Sequence, residues 1–375
     1  MANDPTTAPV RLPGLDGWRG IAIALVLVSH GTFNEKVADP AWTIFFNMLP
    51  RGEDGVRIFF CLSGFLITRL LLREEEKNGA ISLRHFYIRR ALRILPVYFA
   101  YVLAVAGLNL WLQWGMTWQN FITPSTFSTG FWLRRHNTWV FEHFWSLAVE
   151  EVFYLGWPFA LALLPRASRL PLAAMLLVSL PIARTLCVGN NGAFWFGFGI
   201  VMNLDYLMMG CLAALVYSPL RAGLAQHGPR AASALQWGGL ALVSCAWMVV
   251  RHGGEWGWSG ERAQRFDVGP AVTLMAAGFT LAITMTALAP GSLLTRILEW
   301  WPLAGLGKIS YSIYIWQQVI LNPSLGEAAT WRRFPFNILL AIGAGWLSYH
   351  LFEKRFLLLK ERYSAARPAN PPVRP

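Results

Sequence analysis

"LDGWRGIAIALVLVSHGTF", residues 15–33, is an almost unbroken apolar run with Arg19 near one end and His30 near the other. About 20 residues at 1.5 Å each cross the hydrocarbon of a bilayer, so the stretch reads as a spanning helix. Arg19 and His30 are eleven residues apart. At about 100° per residue this is close to three turns, which places both on one face, about 16 Å apart along the axis. An ionisable group held at bilayer depth is costly and is by default a functional signal. Histidine in particular titrates where proton transfer near neutral pH needs it.

The rest of the chain agrees with a membrane setting. Of its 375 residues 55% are hydrophobic and only 14% charged, well below the one-quarter charged residues typical of soluble domains. The formal charge of +12 forms no patch on a soluble domain; its basic residues alternate with apolar segments, which excludes a nucleic-acid footprint. Cys61, Cys187, Cys211 and Cys245 lie in or beside apolar runs without paired spacing, so neither a disulfide framework nor a metal site is expected. The first apolar run has no small-residue cleavage site after it and is expected to stay as a helix.

Hydropathy predicts an all-α integral membrane protein of about ten spans, near residues 15–33, 56–73, 94–114, 146–164, 170–187, 199–217, 234–250, 268–289, 300–321 and 335–353. With the N-terminus inside, the inner segments hold 19 Lys and Arg and the outer ones 11, a bias that puts both termini in the cytoplasm. Residues 1–14 then form a cytoplasmic N-terminal segment, 15–355 the transmembrane domain, and 356–375, ending in "ARPANPPVRP", a cytoplasmic tail expected to be disordered. Trp111, Trp114 and Trp118, with Trp256, Trp258, Trp300 and Trp301, read as interfacial belts. No internal repeat or inverted pair of broken helices is visible.

Four further stretches could carry chemistry. "HFWSLAVEEVFYLGWP", residues 143–158, puts Glu150 and Glu151 at about the depth expected for His30, and a buried carboxylate needs a partner there. Glu150 beside His30 would fix the imidazole's tautomer and stabilise its protonated form. "YIRRALRILP" sets Arg90 and Arg93 on one helical face at the cytoplasmic mouth, where guanidinium forks suit phosphates and where positive-inside anchoring accounts for them equally. "FFCLSGFLI", residues 59–67, places Ser63 and Gly64 within a helix, a spot for close approach of a ligand or another helix. "LGKISYSIYIWQQ" brings Lys308, Ser310 and Tyr311 as pore-lining or oxyanion-donor candidates.

In order, these stretches resemble the acyltransferase-3 family of integral-membrane acyltransferases. The matching elements are R-x10-H, F-x-x-S-G-F, R-x-x-R, W-S-L-x-x-E-E-x-F-Y-L-x-W-P and G-K-I-S-Y-S-x-Y-x-W, spread from residue 15 to about 355. The resemblance implies an acyl-CoA co-substrate, acetyl by default, arriving from the cytoplasm, no permanently bound cofactor and no metal. The acceptor it implies is a hydroxyl of a glycan or lipid-linked sugar at the outer side of the bacterial inner membrane, as in polysaccharide O-acetylation. It also implies His30 and Glu150 as the catalytic pair and Arg19, Arg90 and Arg93 along the donor's path. Two departures stand out. Gln317 follows Trp316 where many members have a histidine, and the outer carbohydrate-esterase-like domain fused to some members is absent from this sequence.

On this reading the long outer loop, residues 115–144 with Trp118, Trp132 and Trp139, meets the acceptor. A small lipophilic metabolite such as a macrolide is the alternative acceptor. The alternative of a different class is a proton-coupled permease, in which Arg19, His30 and Glu150 would line an ion path.

Overall fold

The structure is a computed structural model that describes residues 12–32, 45, 49–129, 138–189, 198–252, 270–322, 333–361 and 363. Every element longer than a turn among them is helical. In chain order these are α1 (Leu15–Gly31), α2 (Gly52–Asn78), α3 (Leu83–Leu112), α4 (Gln119–Ser125), α5 (Trp139–Glu142), α6 (Phe144–Leu163), α7 (Arg166–Gly189) and α8 (Phe198–Leu215). There follow α9 (Tyr217–His227), α10 (Pro229–His252), α11 (Pro270–Leu288), α12 (Leu293–Leu298), α13 (Trp301–Lys308), α14 (Ser310–Ile320) and α15 (Phe336–Ser348). A π-helical turn, Tyr349–Glu353, leads from α15 into α16 (Lys354–Glu361).

Six of these helices are long and apolar enough to cross a membrane, and α8 with α9, bent by 63°, brings the number to as many as seven. The other expected spans fare differently. α1 occupies the first, but at 17 residues is just short of a full crossing length. The stretch expected as one span over 300–321 is two short helices, α13 and α14, broken at Ile309. A Cβ on Gly307 would come within 1.8 Å of the Asp16 carbonyl, so α13 is pressed backbone to backbone against α1. The tail expected from residue 356 is also corrected at its start, because α16 runs through Glu361. Tyr363 N–H bonds the Lys360 carbonyl at 3.0 Å, and the Tyr363 carbonyl accepts from Arg89 of α3 at 3.2 Å, which fastens this helix to the bundle. The expected belt residues Trp256 and Trp258, and Trp132 of the acceptor loop, lie outside the described residues.

Large apolar side chains point outward along the long helices, among them Leu103, Leu110, Leu155, Phe159, Leu163 and Val178, each more than half exposed. In water such a surface would aggregate; around a bundle of spanning helices it is the face that meets lipid.

α1 is the hub. It packs against α2, α13 and α14, and a Cβ on Gly55 of α2 would fall 2.3 Å from the Ala22 carbonyl of α1. Near its start, Trp18 Nε1 donates to Thr286 Oγ1 at 3.1 Å, and Gln236 Nε2 donates to the same oxygen at 2.7 Å. These bonds satisfy buried polar groups of α10 and α11 and fix the register of α1 against them. One end of α1 therefore holds Arg19 and the other His30, each in a set position relative to its neighbours.

Candidate active site

At the His30 end, Gln317 of α14 replaces the carboxylate expected beside the imidazole. His30 Nδ1 lies 2.9 Å from Gln317 Oε1. The Gln317 amide nitrogen donates to Gln318 Oε1 at 2.7 Å, and this second bond sets which end of the Gln317 amide faces His30. An amide oxygen can only accept, so in this arrangement Nδ1 carries a proton. Trp139 of α5 meets the His30 ring edge-on at 5.6 Å and donates from Nε1 to the Gln318 carbonyl at 3.1 Å. Together these contacts hold one tautomer and one ring orientation.

Glu150 is elsewhere, which corrects the expected His30–Glu150 pairing. It lies on the face of α6 turned to α2 and α3, where Ser63 Oγ donates to Glu150 Oε1 at 2.6 Å and Tyr154 OH donates to Ser63 Oγ at 3.1 Å. Its other oxygen is 3.7 Å from Arg90 Nη2, and the Arg90 guanidinium sits 3.6 Å over the Tyr154 ring. Ser63 is eleven residues into α2, about 16 Å below its His30 end. The carboxylate therefore belongs to the arginines and not to the imidazole. The neighbouring carboxylate Glu151 is also partly buried in α6.

Arg19, Arg90 and Arg93 do converge: the charges of Arg93 and Arg90 act on Arg19, and that of Arg90 on Arg93. Their donors are underused. Arg93 makes no hydrogen bond or ion pair among the described residues, Arg90 Nε is buried without an acceptor, and Arg19 reaches Asp16 only at 3.4 Å. Half-buried guanidinium groups with open donors and like-charged neighbours make a site shaped for an anion.

The remaining expected residues separate. Gly64 serves helix packing: a Cβ there would stand 2.0 Å from the Leu207 carbonyl of α8. Tyr311 OH is engaged by the Ile94 carbonyl at 2.9 Å, Ser310 is buried, and Lys308 is exposed at the end of α13. The structure thus does not gather this trio at His30.

Two features carry no signal in the sequence. Glu353, in the π-helical turn, is bonded by Ser312 Oγ of α14 and acts on Arg93 with its charge. His143 is buried among the rings of Tyr101, Phe144 and Tyr314. A π-turn inside a helical segment frequently marks a functional site, which is the one hint the sequence could not print.

A helical bundle with an apolar outer surface, an arginine cluster and a histidine oriented by Gln317 defines an integral-membrane protein with polar groups gathered inside the bundle. The chain belongs to the acyltransferase-3 family: that family's model, described as an acyltransferase domain, matches residues 12–352. Among similar proteins, O-acetyltransferase OatA of Staphylococcus aureus is 28% identical over 334 residues, covering 84% of this chain and 51% of the relative. Peptidoglycan O-acetyltransferase OatA of Listeria monocytogenes is 28% identical over 332 residues, covering 83% and 49%. The chain thus spans about half the length of the curated relatives it matches. No solved structure matches it.

Proposed function

We propose that the protein is a membrane-bound O-acyltransferase that moves an acyl group, acetyl by default, from acyl-CoA to a hydroxyl of a cell-envelope glycan or lipid-linked sugar. The observation that carries this reading is the gradient along α1. Arginines with open donors stand at one end and a histidine of fixed tautomer at the other, about 16 Å apart by helical rise. A polyanion tethered to a long flexible arm fits that distance. The family supports acyl transfer, and the names of the relatives support acetyl as the group and a glycan such as peptidoglycan as the acceptor.

On this proposal Arg90, Arg93 and Arg19 hold the phosphates of the donor while its thioester reaches His30. Nε2 of His30 takes the proton of the acceptor hydroxyl as that oxygen forms its bond to the thioester carbonyl carbon. The carbon–sulfur bond then breaks, and the proton passes to the departing thiolate. Gln317 orients the imidazole, and Glu150, with Ser63 and Tyr154, positions Arg90. The excess of basic residues in the inner segments supports a cytoplasmic donor and an outward-facing acceptor in the inner membrane.

The test is transfer of labelled acetyl from acetyl-CoA in membranes carrying wild type or His30→Ala, with envelope glycan and lipid extracts as acceptors. Label enters the glycan with wild type and falls by about 100-fold or more in the variant, as expected for loss of a general base. Equal labelling with both proteins overturns the role of His30, and binding of CoA without transfer to any acceptor overturns the acyltransferase reading.

A further inference from the structure

Arg69 of α2 is only 8% exposed, yet it makes no hydrogen bond or ion pair among the described residues, and its Nε is buried without an acceptor. What meets its charge is a ring. The guanidinium carbon lies 4.4 Å from the centre of the Tyr217 ring, at the elbow where α9 leaves the axis of α8 by 63°. An aromatic face offsets part of the cost of burying a guanidinium but leaves its N–H donors unused. Helical spacing puts two more arginines beside this pair: Arg73 is one turn on from Arg69 along α2, and Arg221 one turn on from Tyr217 along α9. Neither has a hydrogen bond or ion pair among the described residues, and the charges of both act on Arg69. Of the acids in this part of α2, Glu74 pairs with Arg89 and Glu75 with Arg169, which leaves the exposed Glu76 to act on Arg69 against three cations. Arg69 is six residues beyond Ser63, about 9 Å along α2 and about 120° round it, so it stands on a different face from the one that meets Glu150.

We propose that Arg69, Arg73 and Arg221, with Tyr217 behind them, form a second anion site between α2 and α9 that takes the phosphate of an anionic phospholipid. The site stands apart from the acyl-CoA reading and does not depend on it. A phosphodiester supplies what the arginines lack, since a guanidinium fork donates two parallel bonds to phosphate oxygens. Basic pockets between spanning helices are where anionic headgroups seat. A lipid, and not a soluble phosphate, is indicated by the neighbouring surface. Leu70 follows Arg69, is 48% exposed and lies one turn before Arg73, so the outward apolar face of α2 adjoins the basic groups. A headgroup on Arg69 and Arg73 leaves its acyl chains along that face. Arg221, exposed on α9, then closes on the same phosphate and ties the elbow to α2.

Retention of added phospholipid by the purified full chain in detergent micelles, read by native mass spectrometry, tests this. Phosphatidylglycerol and phosphatidylcholine with the same acyl chains differ only in the headgroup. Wild type is expected to hold phosphatidylglycerol at least about tenfold more tightly, and Arg69→Gln to bring the two lipids within about twofold of each other. Arg73 and Arg221 are more open than Arg69, so Arg73→Gln combined with Arg221→Gln spares the fold and decides the matter by the same loss of preference if Arg69→Gln does not fold. Equal retention of both lipids by wild type, or an undiminished preference in either variant, overturns the inference. Inorganic phosphate that displaces phosphatidylglycerol from wild type marks a site for soluble anions and overturns the choice of a lipid. S-ethyl-CoA, a thioether analogue of the proposed donor with no group to transfer, should bind the double variant within about twofold of wild type, because the two sites are separate. Loss of S-ethyl-CoA with an unchanged lipid preference assigns these arginines to the donor's path and also overturns the inference.

Discussion

Gln317 decides how the imidazole of His30 is used. A neutral amide can fix the tautomer through Nδ1 but brings no negative charge, so its contribution is orientation, not stabilisation of a cation. On the proposed function Gln317→Ala should therefore lower kcat about 10- to 100-fold and leave the KM for acyl-CoA within about twofold, because the proposal holds the donor's phosphates at the far end of α1. Steady-state kinetics with varied donor decides this, and a rise in KM with unchanged kcat would make Gln317 a binding residue. His30 itself was legible in the sequence, since an imidazole in an apolar run is conspicuous. Its partner was not. Gln317 lies 287 residues away in the chain and has no charge to draw attention, while Glu150 offered a visible carboxylate at a comparable expected depth. Only the packing of α14 against α1 reveals which of the two is close.

The paired residues Ser63 and Gly64 show how one helix serves two purposes on adjoining faces. Gly64 lets the backbone of α8 approach, while Ser63 turns its hydroxyl to Glu150 on α6. Gly64→Val has nowhere to place its side chain, because backbone and not a flexible side chain stands in the way, and it should cost about 3 kcal/mol or prevent folding. Ser63→Ala removes two hydrogen bonds, one to Glu150 and one from Tyr154, each worth about 1 kcal/mol, and on the proposed function should also weaken donor binding by loosening Glu150 and, through it, Arg90. Thermal unfolding in detergent measured beside S-ethyl-CoA affinity separates these outcomes, and a Ser63→Ala variant with lost stability and full affinity would refute the division. The sequence motif displayed both residues together but could not assign faces, since neighbours on a helix differ by about 100°. The break at Ile309 was hidden because the apolar run continues through it.

Over the whole molecule, apolar composition made the membrane class plain, and six helices meet the length and hydropathy of a span. What hydropathy cannot supply is where cations that seem to be anchors gather inside the bundle. That gathering has a cost in stability that can be measured. The ammonium of Lys360 is lowered from 10.5 to about 8, so between those values the folded chain binds fewer protons than the unfolded one. For a lowered base the sign follows: its contribution destabilises the empty protein fully below pH 8 and fades as pH rises toward 10.5. Lys360→Gln, which carries no charge, should then raise the thermal midpoint of the ligand-free protein at pH 7, while the gain disappears near pH 10. Differential scanning measurements of the two ligand-free proteins at pH 7 and pH 10 give four midpoints. A lower midpoint for Lys360→Gln at pH 7 would mean that the lysine holds the fold together, whereas a higher one that levels off by pH 10 is what an ammonium lowered by burial and neighbouring arginines requires.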